Sequence, residues 1–408
     1  MKNDQQMVRL VDDHKWNRRE FLRSGIVATG IAEGAFASPE GSFGSSGGDS
    51  SKKCILLFLV GGCSHLDTWD LKPMASTQIR GPFRPIRTKT PGIHISEHFP
   101  RMAQLSNLFT LVRSVYHDRS PIHETGQQLL QTGLLSRDGI PAPHIGSILA
   151  YSERSRRSPV PPFVLLPGPI TNTGVSVDHG QSAGFLGTDF DPFIPGTTES
   201  RYWDRYDMSQ IGAVLELREE SVKWRTVYGA TDFGANCLRA RRFIERGARM
   251  VAVNMFDTVF GQTTWDCHAD GASLATTLAD YRNELCPAFD QAFSGLISDL
   301  HDRGLLEETM VIALTEFGRT PYLNPRGGRD HWPGVWTIIS AGGGSSGGRI
   351  IGSSDRDGAY PLDHPIKAEQ IPASILSALG VQDIGSQILP NGRRLCPNQE
   401  PAIHGLFA

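Results

Sequence analysis

The feature that most constrains this chain is a continuous apolar run, Cys-Ile-Leu-Leu-Phe-Leu-Val, at residues 54–60. It shows no polar alternation and ends in Gly61-Gly62, which is the pattern of a strand buried on both faces of a parallel sheet. Further short apolar or β-branched runs, each closed by polar or glycine segments, are residues 109–115, 163–166, 249–254, 310–314 and 336–340. Each of these runs predicts another strand.

Helical patterns lie between the predicted strands. Residues 228–247 and 273–303 place apolar side chains mainly three and four positions apart, and residues 368–379 form a shorter helix of the same kind. We expect Gly247 to end the first helix and Pro287 to kink the second. The alternation of strands and helices predicts an α/β fold with a mostly parallel central sheet and helices on both faces.

The N-terminal segment resembles a twin-arginine export signal. Arg18 and Arg19 precede Phe21-Leu22 and a weakly apolar run at residues 25–32, and Ala35-Phe36-Ala37 supplies a small-x-small cleavage pattern. The apolar run is far shorter than the roughly 20 residues that a membrane-spanning helix needs. The alternative is an amphipathic N-terminal helix on a soluble protein. We expect a signal at residues 1–37, a Ser/Gly-rich linker at 38–51, and a periplasmic or secreted product.

Composition limits the function classes. With 408 residues, 39% of them hydrophobic, the chain can bury a sizeable core, and we expect one domain over residues 52–408. Forty Lys and Arg against 43 Asp and Glu leave no basic field to attract nucleic acid or an anionic membrane surface. None of the six cysteines forms Cys-x-x-Cys, so a thiolate zinc site is not indicated. An oxidising compartment would permit disulfides, although Cys54 in its apolar run is expected to be a buried thiol.

Histidines and carboxylates gather after several predicted strands, where ligands bind in parallel α/β sheets. The relevant segments contain His65 and Asp67, Asp266 and His268, Glu316 and Arg319, and Arg329, Asp330 and His331. Carboxylate oxygen and imidazole nitrogen suit Zn²⁺, Mn²⁺ or a similar hydrolytic ion, and two such ions can bind an ester oxyanion and activate its attacker. For one cluster alone, salt bridges and caps are the simpler explanation. Four clusters at successive strand ends favour a metal site.

At these residues the chain resembles the bacterial family called domain of unknown function 1501, in the alkaline phosphatase core superfamily. The motifs that carry the resemblance are Gly-Gly-x-Ser-His-x-Asp-Thr at 61–68, Arg-Ser-Val at 113–115, Gly-Gln-Ser-Ala-Gly-Phe-Leu-Gly at 180–187, Trp-Asp-x-His at 265–268, Glu-Phe-Gly-Arg-Thr-Pro at 316–321, Gly-Arg-Asp-His-Trp-Pro at 328–333 and Ala-Gly-Gly-Gly at 341–344. The resemblance implies an alkaline phosphatase-like α/β core that holds one or two divalent ions, which could be Zn, Mn, Mg or Ca.

By position, the resemblance implies that the ligands are Asp67, Asp266, His268, Glu316 and His331, with His65 as a further candidate. If this assignment is right, Asp67, Asp266, His268, Glu316 and His331 should converge on one point. One departure matters, because the superfamily's late Asp-His pair is Glu316-Phe317 in this chain, so one histidine is missing.

The region after the second strand is where the superfamily carries its nucleophile. Ser120 is the candidate here, with Thr125 behind it, although Ser120 followed by Pro121 also reads as a helix N-cap and first helical residue. His123 could be a ligand or a general acid. Arg319 and Arg329 could bind a phosphate or sulfate, or could pair with nearby acids.

The sequence therefore predicts an exported metal-dependent hydrolase of phosphate or sulfate esters, acting on a small-molecule or polysaccharide anionic ester. The rival is a non-catalytic binding or surface-assembly protein that kept the fold and lost part of the site. A third alternative is an enzyme acting on a sugar or peptide.

Overall fold

The computed structural model is built around a sheet that, within the described residues, has eight strands. It describes residues 51–136, 139–197, 205–381, 387–388, 394–395 and 400–407. The predicted signal at 1–37 and all but the last residue of the predicted linker lie outside these ranges. The strands are β1 (Lys53–Phe58), β2 (Phe109–Tyr116), β3 (Phe163–Leu166), β4 (Met250–Asn254), β5 (Thr309–Leu314), β6 (Trp336–Ala341), β7 (Arg349–Ile351) and β8 (Ile366–Lys367).

The sheet has the order β7-β2-β6-β5-β1-β4-β3, with β8 also paired to β2. Strand β1 lies between two parallel neighbours, with Cys54 opposite Met250 of β4 and Met310 of β5. Strand β6 is antiparallel to both β2 and β5. The predicted α/β class with a mostly parallel sheet is confirmed, and the reversed strand β6 is an addition to it.

Seven longer helices connect the strands in the described part of the chain. They are α1 (His123–Thr132), α2 (Ile145–Ser152), α3 (Met208–Leu215), α4 (Val222–Tyr228), α5 (Asp232–Glu245), α6 (Cys286–Asp302) and α7 (Gln370–Ala378). Short helical segments are Thr77–Arg80, Pro100–Gln104, Leu278–Asp280 and the 3-10 turns His65–Asp67, Ser106–Leu108, Gly184–Leu186, Thr188–Phe190 and Leu217–Glu219. Short paired strands are Pro85–Arg87 with His94–Ser96, Gly318–Arg319 with His331–Trp332, Ser353–Ser354 with Pro361–Asp363, and Gln387–Ile388 with Arg394–Leu395.

Two predicted helices differ locally from the structure. The helix predicted over 228–247 begins only at Asp232, because the Thr231 hydroxyl caps it by accepting from the Gly234 backbone N–H at 3.1 Å. The helix predicted over 273–303 begins at Leu278 and contains a π-helical turn, Tyr281–Leu285, directly before α6. Pro287 therefore sits where the π-helical turn passes into the first turn of α6.

The core lies on both faces of the sheet. Along β1, Ile55 and Leu57 belong to the cluster that also contains apolar side chains of α5 and α6. Cys54 and Leu56, on the opposite face, belong to the cluster that contains side chains of α1, α2 and α7. Since side chains alternate between the faces of a strand, an uninterrupted apolar run is what such two-sided burial requires.

Two further sequence expectations concern cysteines and membrane segments. Burial raises the pKa of the Cys54 thiol, as expected for a buried side chain. The thiols of Cys54, Cys63, Cys237, Cys267 and Cys286 are all free and buried, while Cys396 lies outside the described residues. Among the described residues no helix is both long enough and apolar enough to cross a membrane.

Candidate metal centre at the carboxyl edge of the sheet

The candidate site forms where the carboxyl ends of the parallel strands meet. Gly61 follows β1, Asp266 follows β4, and Glu316 follows β5. The segment after β2 leads to His123, the first residue of α1. Because β6 runs antiparallel, its amino end lies at this same edge, and His331 just before it joins the group.

Three imidazoles point their Nε2 atoms at the carboxylate of Asp266. His123 lies 3.0 Å from Oδ2, and His268 and His331 lie 3.1 and 3.3 Å from Oδ1. Asp266 is fully buried. His123, Asp266 and His331 each offer one ligand atom, and these three atoms lie within 4.8 Å of one another.

The other ring nitrogen of each histidine is held by an oxygen. The Nδ1 of His123 lies 2.7 Å from Glu316 Oε1, that of His331 2.8 Å from the Pro121 carbonyl, and that of His268 2.9 Å from Asp330 Oδ1. Histidines that bind metals usually donate their second N–H to such an acceptor, which fixes the tautomer and the ring direction. All three rings are therefore oriented with Nε2 toward Asp266.

Charge in the cluster is balanced by its own residues. Burial alone would lower the pKa of His123, but hydrogen bonds to Asp266 and Glu316 outweigh it and raise that pKa to about 9. Burial would raise the pKa of Asp266, yet the Arg319 guanidinium and the imidazoles hold it well below its usual range. Two carboxylates thus face one imidazolium and one guanidinium. His331 differs, because burial lowers its pKa to about 4 and leaves its ring neutral at pH 7.

Two glycines after β1 allow the close approach of the surrounding segments. A Cβ on Gly61, whose φ is +116°, would lie 2.6 Å from the backbone nitrogen of Asp266. A Cβ on Gly62, whose φ is +74°, would overlap the ring of Phe317. The Gly-Gly pair is therefore required by the left-handed backbone and by the proximity of the residues that build the site.

Asp67 and His65 are not part of this group, so the expected convergence of all five predicted ligands is not what the structure shows. Asp67 is fully buried, and its Oδ2 accepts from Arg329 Nε at 2.7 Å and from the Ser64 hydroxyl at 2.5 Å. His65 is fully buried with Nε2 2.8 Å from the Gly358 carbonyl, and burial lowers its pKa to about 4. Both side chains hold the loop after β1 in place.

The two arginines pair with acids, which is one of the two roles that the sequence left open. Arg319 is fully buried and donates to Asp266, to the carbonyls of Gly61 and Gly62, and to the Arg329 carbonyl at 3.0 Å. Arg329 donates to Asp67 and to the carbonyls of Ile79, Thr320 and Pro321. Their donors are directed into the protein.

The predicted N-cap role of Ser120 is wrong. Helix α1 begins at His123 with Ile122 as its N-cap, and no side chain caps it. The Ser120 carbonyl accepts the Ile122 N–H at 2.9 Å in a tight turn, which places the exposed Ser120 outside the helix. Thr125 lies inside α1 and is buried.

The hydrogen-bonding pairs 123–316 and 268–330 are separated by 193 and 62 residues, so their partners could not be read from the sequence. In the sequence, Asp330 stood out only as one member of the cluster with Arg329 and His331. Nothing in the sequence indicated that the Pro121 carbonyl would accept a hydrogen bond from a histidine. The apolar Phe317 departs from the pattern that the sequence resemblance implies, and its ring lies 5.0 Å from that of His123 and 4.4 Å from that of His331.

The fold and the site together define an α/β protein with a histidine and carboxylate centre at the carboxyl edge of its sheet. The chain belongs to the family described as "Protein of unknown function (DUF1501)", whose model matches residues 51–209 and 197–395. The family membership inferred from the motifs is thereby confirmed. No curated protein matches the chain.

Three of the solved structures that are similar to this chain are a sulfatase, a phosphonate monoester hydrolase and an alkaline phosphatase. The PsFucS1 sulfatase from Pseudoalteromonas sp. is 16% identical, with 81% of this chain and 68% of that one covered and a TM-score of 0.41. A phosphonate monoester hydrolase from Silicibacter pomeroyi is 13% identical, with coverage of 82% and 74% and a TM-score of 0.40. An alkaline phosphatase from an Antarctic bacterium is 13% identical, with coverage of 81% and 99% and a TM-score of 0.38.

Proposed function

We propose that this chain is an exported, metal-dependent hydrolase of phosphate or sulfate esters. The observation that carries the proposal is the convergence of His123, Asp266 and His331, whose ligand atoms lie within 4.8 Å of one another. The family resemblance set out from the sequence motifs implies the same chemistry.

The donor set fits a divalent ion. Two imidazole nitrogens and one carboxylate oxygen suit Zn²⁺ or Mn²⁺, and the oxygens behind His123 and His331 supply the outer hydrogen bonds that such ligands need. When bound, the ion would supply Lewis acidity to an ester oxygen. Three protein ligands would leave a position for the substrate.

His268 is the proposed general acid of the reaction. Its Nδ1 is held by Asp330, while its Nε2 makes no hydrogen bond within the described residues despite lying near Asp266. Its Nε2 is buried 3.1 Å from Asp266 Oδ1, so a leaving alcohol would have to lie inside the site to receive a proton from it. A histidine oriented by a carboxylate, with its second nitrogen unbonded, can hold and deliver a proton.

We propose one ion rather than two. Phe317 stands where the superfamily carries a histidine, and its ring packs against both His123 and His331. Asp67, the other residue expected at a second ion, is paired with Arg329. Because Ser120 lies outside α1, direct attack by water is the simpler route to products.

Export by the twin-arginine route is proposed from the sequence alone, with residues 1–37 as signal, 38–51 as linker and 52–408 as the exported domain. Replacing Arg18 and Arg19 together by lysine should retain the protein in the cytoplasm, as measured by cell fractionation. Export of that variant at the normal level would contradict the assignment.

The hydrolase proposal is tested by metal analysis and by turnover of chromogenic phosphate and sulfate esters. We expect His331→Gln and Asp266→Asn to lose both metal and turnover. His268→Gln should keep its metal and lose about 10²- to 10⁴-fold in turnover, the usual range for a general acid. The exposed His94→Gln is the matched control. A wild-type protein that binds no metal and turns over no ester would overturn the proposal.

A second candidate function is a non-catalytic binding protein, favoured by the charge at the site. The donors of Arg319 and Arg329 are directed into the protein, and the half-exposed Asp330 beside His268 presents a negative charge to solvent. These features give an incoming anion no arginine clamp. Metal binding by the wild type without turnover of any ester in the panel would support this candidate.

A further inference from the structure

Glu316 is a fully buried carboxylate whose two oxygens are both engaged within the protein. Its Oε1 accepts from the Gly61 backbone N–H at 2.8 Å and lies 2.7 Å from His123 Nδ1. Its Oε2 lies 3.1 Å from the Thr315 hydroxyl. Glu316 is not one of the three described residues whose ligand atoms lie within 4.8 Å of one another.

The backbone around this pair leaves Glu316 little freedom. Gly126 of α1 lies directly against the Glu316 carbonyl, so that a Cβ on this glycine would overlap that oxygen. His123 lies three residues earlier on the same helix. The helix carrying the imidazole and the segment carrying the carboxylate are therefore packed so closely that residue 126 has no room for a side chain.

We infer that Glu316 is a positioning residue that holds His123 with its Nε2 directed at Asp266 and at the proposed ion. The inference rests on the proposed function, because it assigns the role of Glu316 toward a proposed ligand. It replaces the direct ligand role that the sequence gave Glu316. A carboxylate behind a ligating histidine fixes the ring and raises its basicity as a ligand.

Glu316 has a stronger hold on its imidazole than the acceptors behind the other two rings. The acceptor behind His331 is the neutral carbonyl of Pro121, and the carboxylate of Asp330 behind His268 is 52% exposed. A buried ionised acceptor forms a stronger hydrogen bond than a neutral carbonyl or a solvated carboxylate. Loss of the Glu316 charge should therefore affect metal binding measurably.

Glutamine can replace Glu316 without loss of packing. The Thr315 hydroxyl already donates to the Leu59 carbonyl at 2.8 Å, so it can accept from a glutamine N–H in place of the carboxylate oxygen. The remaining glutamine oxygen can still accept from Gly61 and His123. Glu316→Gln therefore removes the charge while it keeps the shape, and Glu316→Ala removes both.

The test is the Zn²⁺ affinity of the full chain, measured by competition with a chromogenic chelator, together with the visible spectrum of the Co²⁺-loaded protein. We expect Zn²⁺ to bind about 10- to 100-fold more weakly to Glu316→Ala than to the wild type, which is the usual range for loss of such an outer partner. The loss of affinity in Glu316→Gln should be smaller. The Co²⁺ spectrum of Glu316→Ala should shift because the His123 ring is no longer held, and that of Glu316→Gln should shift less because the amide oxygen can still accept from His123 Nδ1.

The matched control is Asp290→Asn, which removes a buried carboxylate that accepts from the backbone N–H groups of Arg101 and Met102 at 3.0 and 2.8 Å. This variant should keep the wild-type affinity and spectrum. Wild-type affinity and spectrum in both Glu316 variants would overturn the inference and leave the proposed function standing. Failure of the wild type itself to bind Zn²⁺ or Co²⁺ would overturn the proposed function and this inference with it.

Discussion

The buried carboxylates of Asp266 and Asp67 differ in the groups with which they are paired. Asp266 faces three imidazoles and Arg319. A metal cation could therefore replace an imidazole proton beside that carboxylate while the arginine stays in place. Asp67 faces only Arg329 among its ion-pair partners in the described part of the chain. The first arrangement is suited to binding, and the second is suited to holding a loop.

Asp67→Asn should reduce stability and leave metal binding unchanged. The substitution leaves Arg329 buried without its counter-charge, which typically costs about 3–5 kcal/mol. Urea unfolding and Zn²⁺ titration measure the two effects separately. Arg356→Gln, which removes an exposed pair with Asp357, should change stability by less than about 0.5 kcal/mol. A loss of Zn²⁺ binding in folded Asp67→Asn would restore Asp67 as a ligand.

His144 makes the stability of the protein depend on pH. Its Nδ1 accepts from the Gly146 N–H at the start of α2, and burial lowers its pKa from 6.5 to about 3. The folded state favours the neutral ring, so this contribution is complete above pH 6.5. It is lost as the pH falls toward 3, by about 1.4 kcal/mol per pH unit.

His144→Asn should remove that part of the pH dependence, because asparagine keeps an N-cap acceptor and does not titrate. Free energies of unfolding, obtained from urea titrations between pH 7 and pH 4, test this prediction. The free energy of unfolding should change with pH more steeply in the wild type than in the variant, by about 1.4 kcal/mol per pH unit. His94→Gln should match the wild type because that side chain is exposed. Parallel curves for wild type and His144→Asn would show that the ring does not stay neutral.

At the scale of elements, the site depends on the contact between α1 and the segment after β5. Gly126 lies at that contact, so Gly126→Ala should push α1 away from Glu316 and separate His123 from Asp266. We expect a loss of metal affinity and of about 1–3 kcal/mol of stability, as is usual for overpacking in a core.

Gly212→Ala in α3 is the matched control for Gly126→Ala. A Cβ there would meet no atom within 4 Å, and alanine is favoured over glycine in a helix by about 1 kcal/mol. This variant should be as stable as the wild type or more stable, with unchanged metal binding. Equal behaviour of the two alanine variants in urea unfolding and Zn²⁺ titration would contradict the proposed packing.

Elements were easier to predict than contacts. The run at 163–166 coincides with β3, and 249–254 contains β4, because uninterrupted apolar runs are a local signal of two-sided burial. The run at 54–60 extends past β1, since Leu59 and Val60 stay buried after the strand ends. The reversal of β6 left no local signal, yet it brings His331 to the site. Asp67 was assigned to the site from its position after β1, and only its pairing with Arg329 corrected this.

At the scale of the whole molecule, the residues of the site are brought together only by folding. Gly61, His123, Asp266, Glu316 and His331 come from segments spread over most of the described chain. An ion held by them is expected to bind after folding and to stabilise the folded state. Export of folded chains, as the proposed twin-arginine signal implies, would let the ion be loaded before export.

The number of divalent ions bound per folded chain shows whether His123, Asp266 and His331 form a one-ion centre. Full-length protein is stripped with a chelator, reloaded with Zn²⁺ or Mn²⁺, freed of excess metal and analysed by elemental mass spectrometry, with His94→Gln as a control. We expect one ion per chain for the wild type and the control, and none for the double variant His123→Gln, His331→Gln. No ion in the folded wild type, or the same ion content in the double variant, would contradict that expectation.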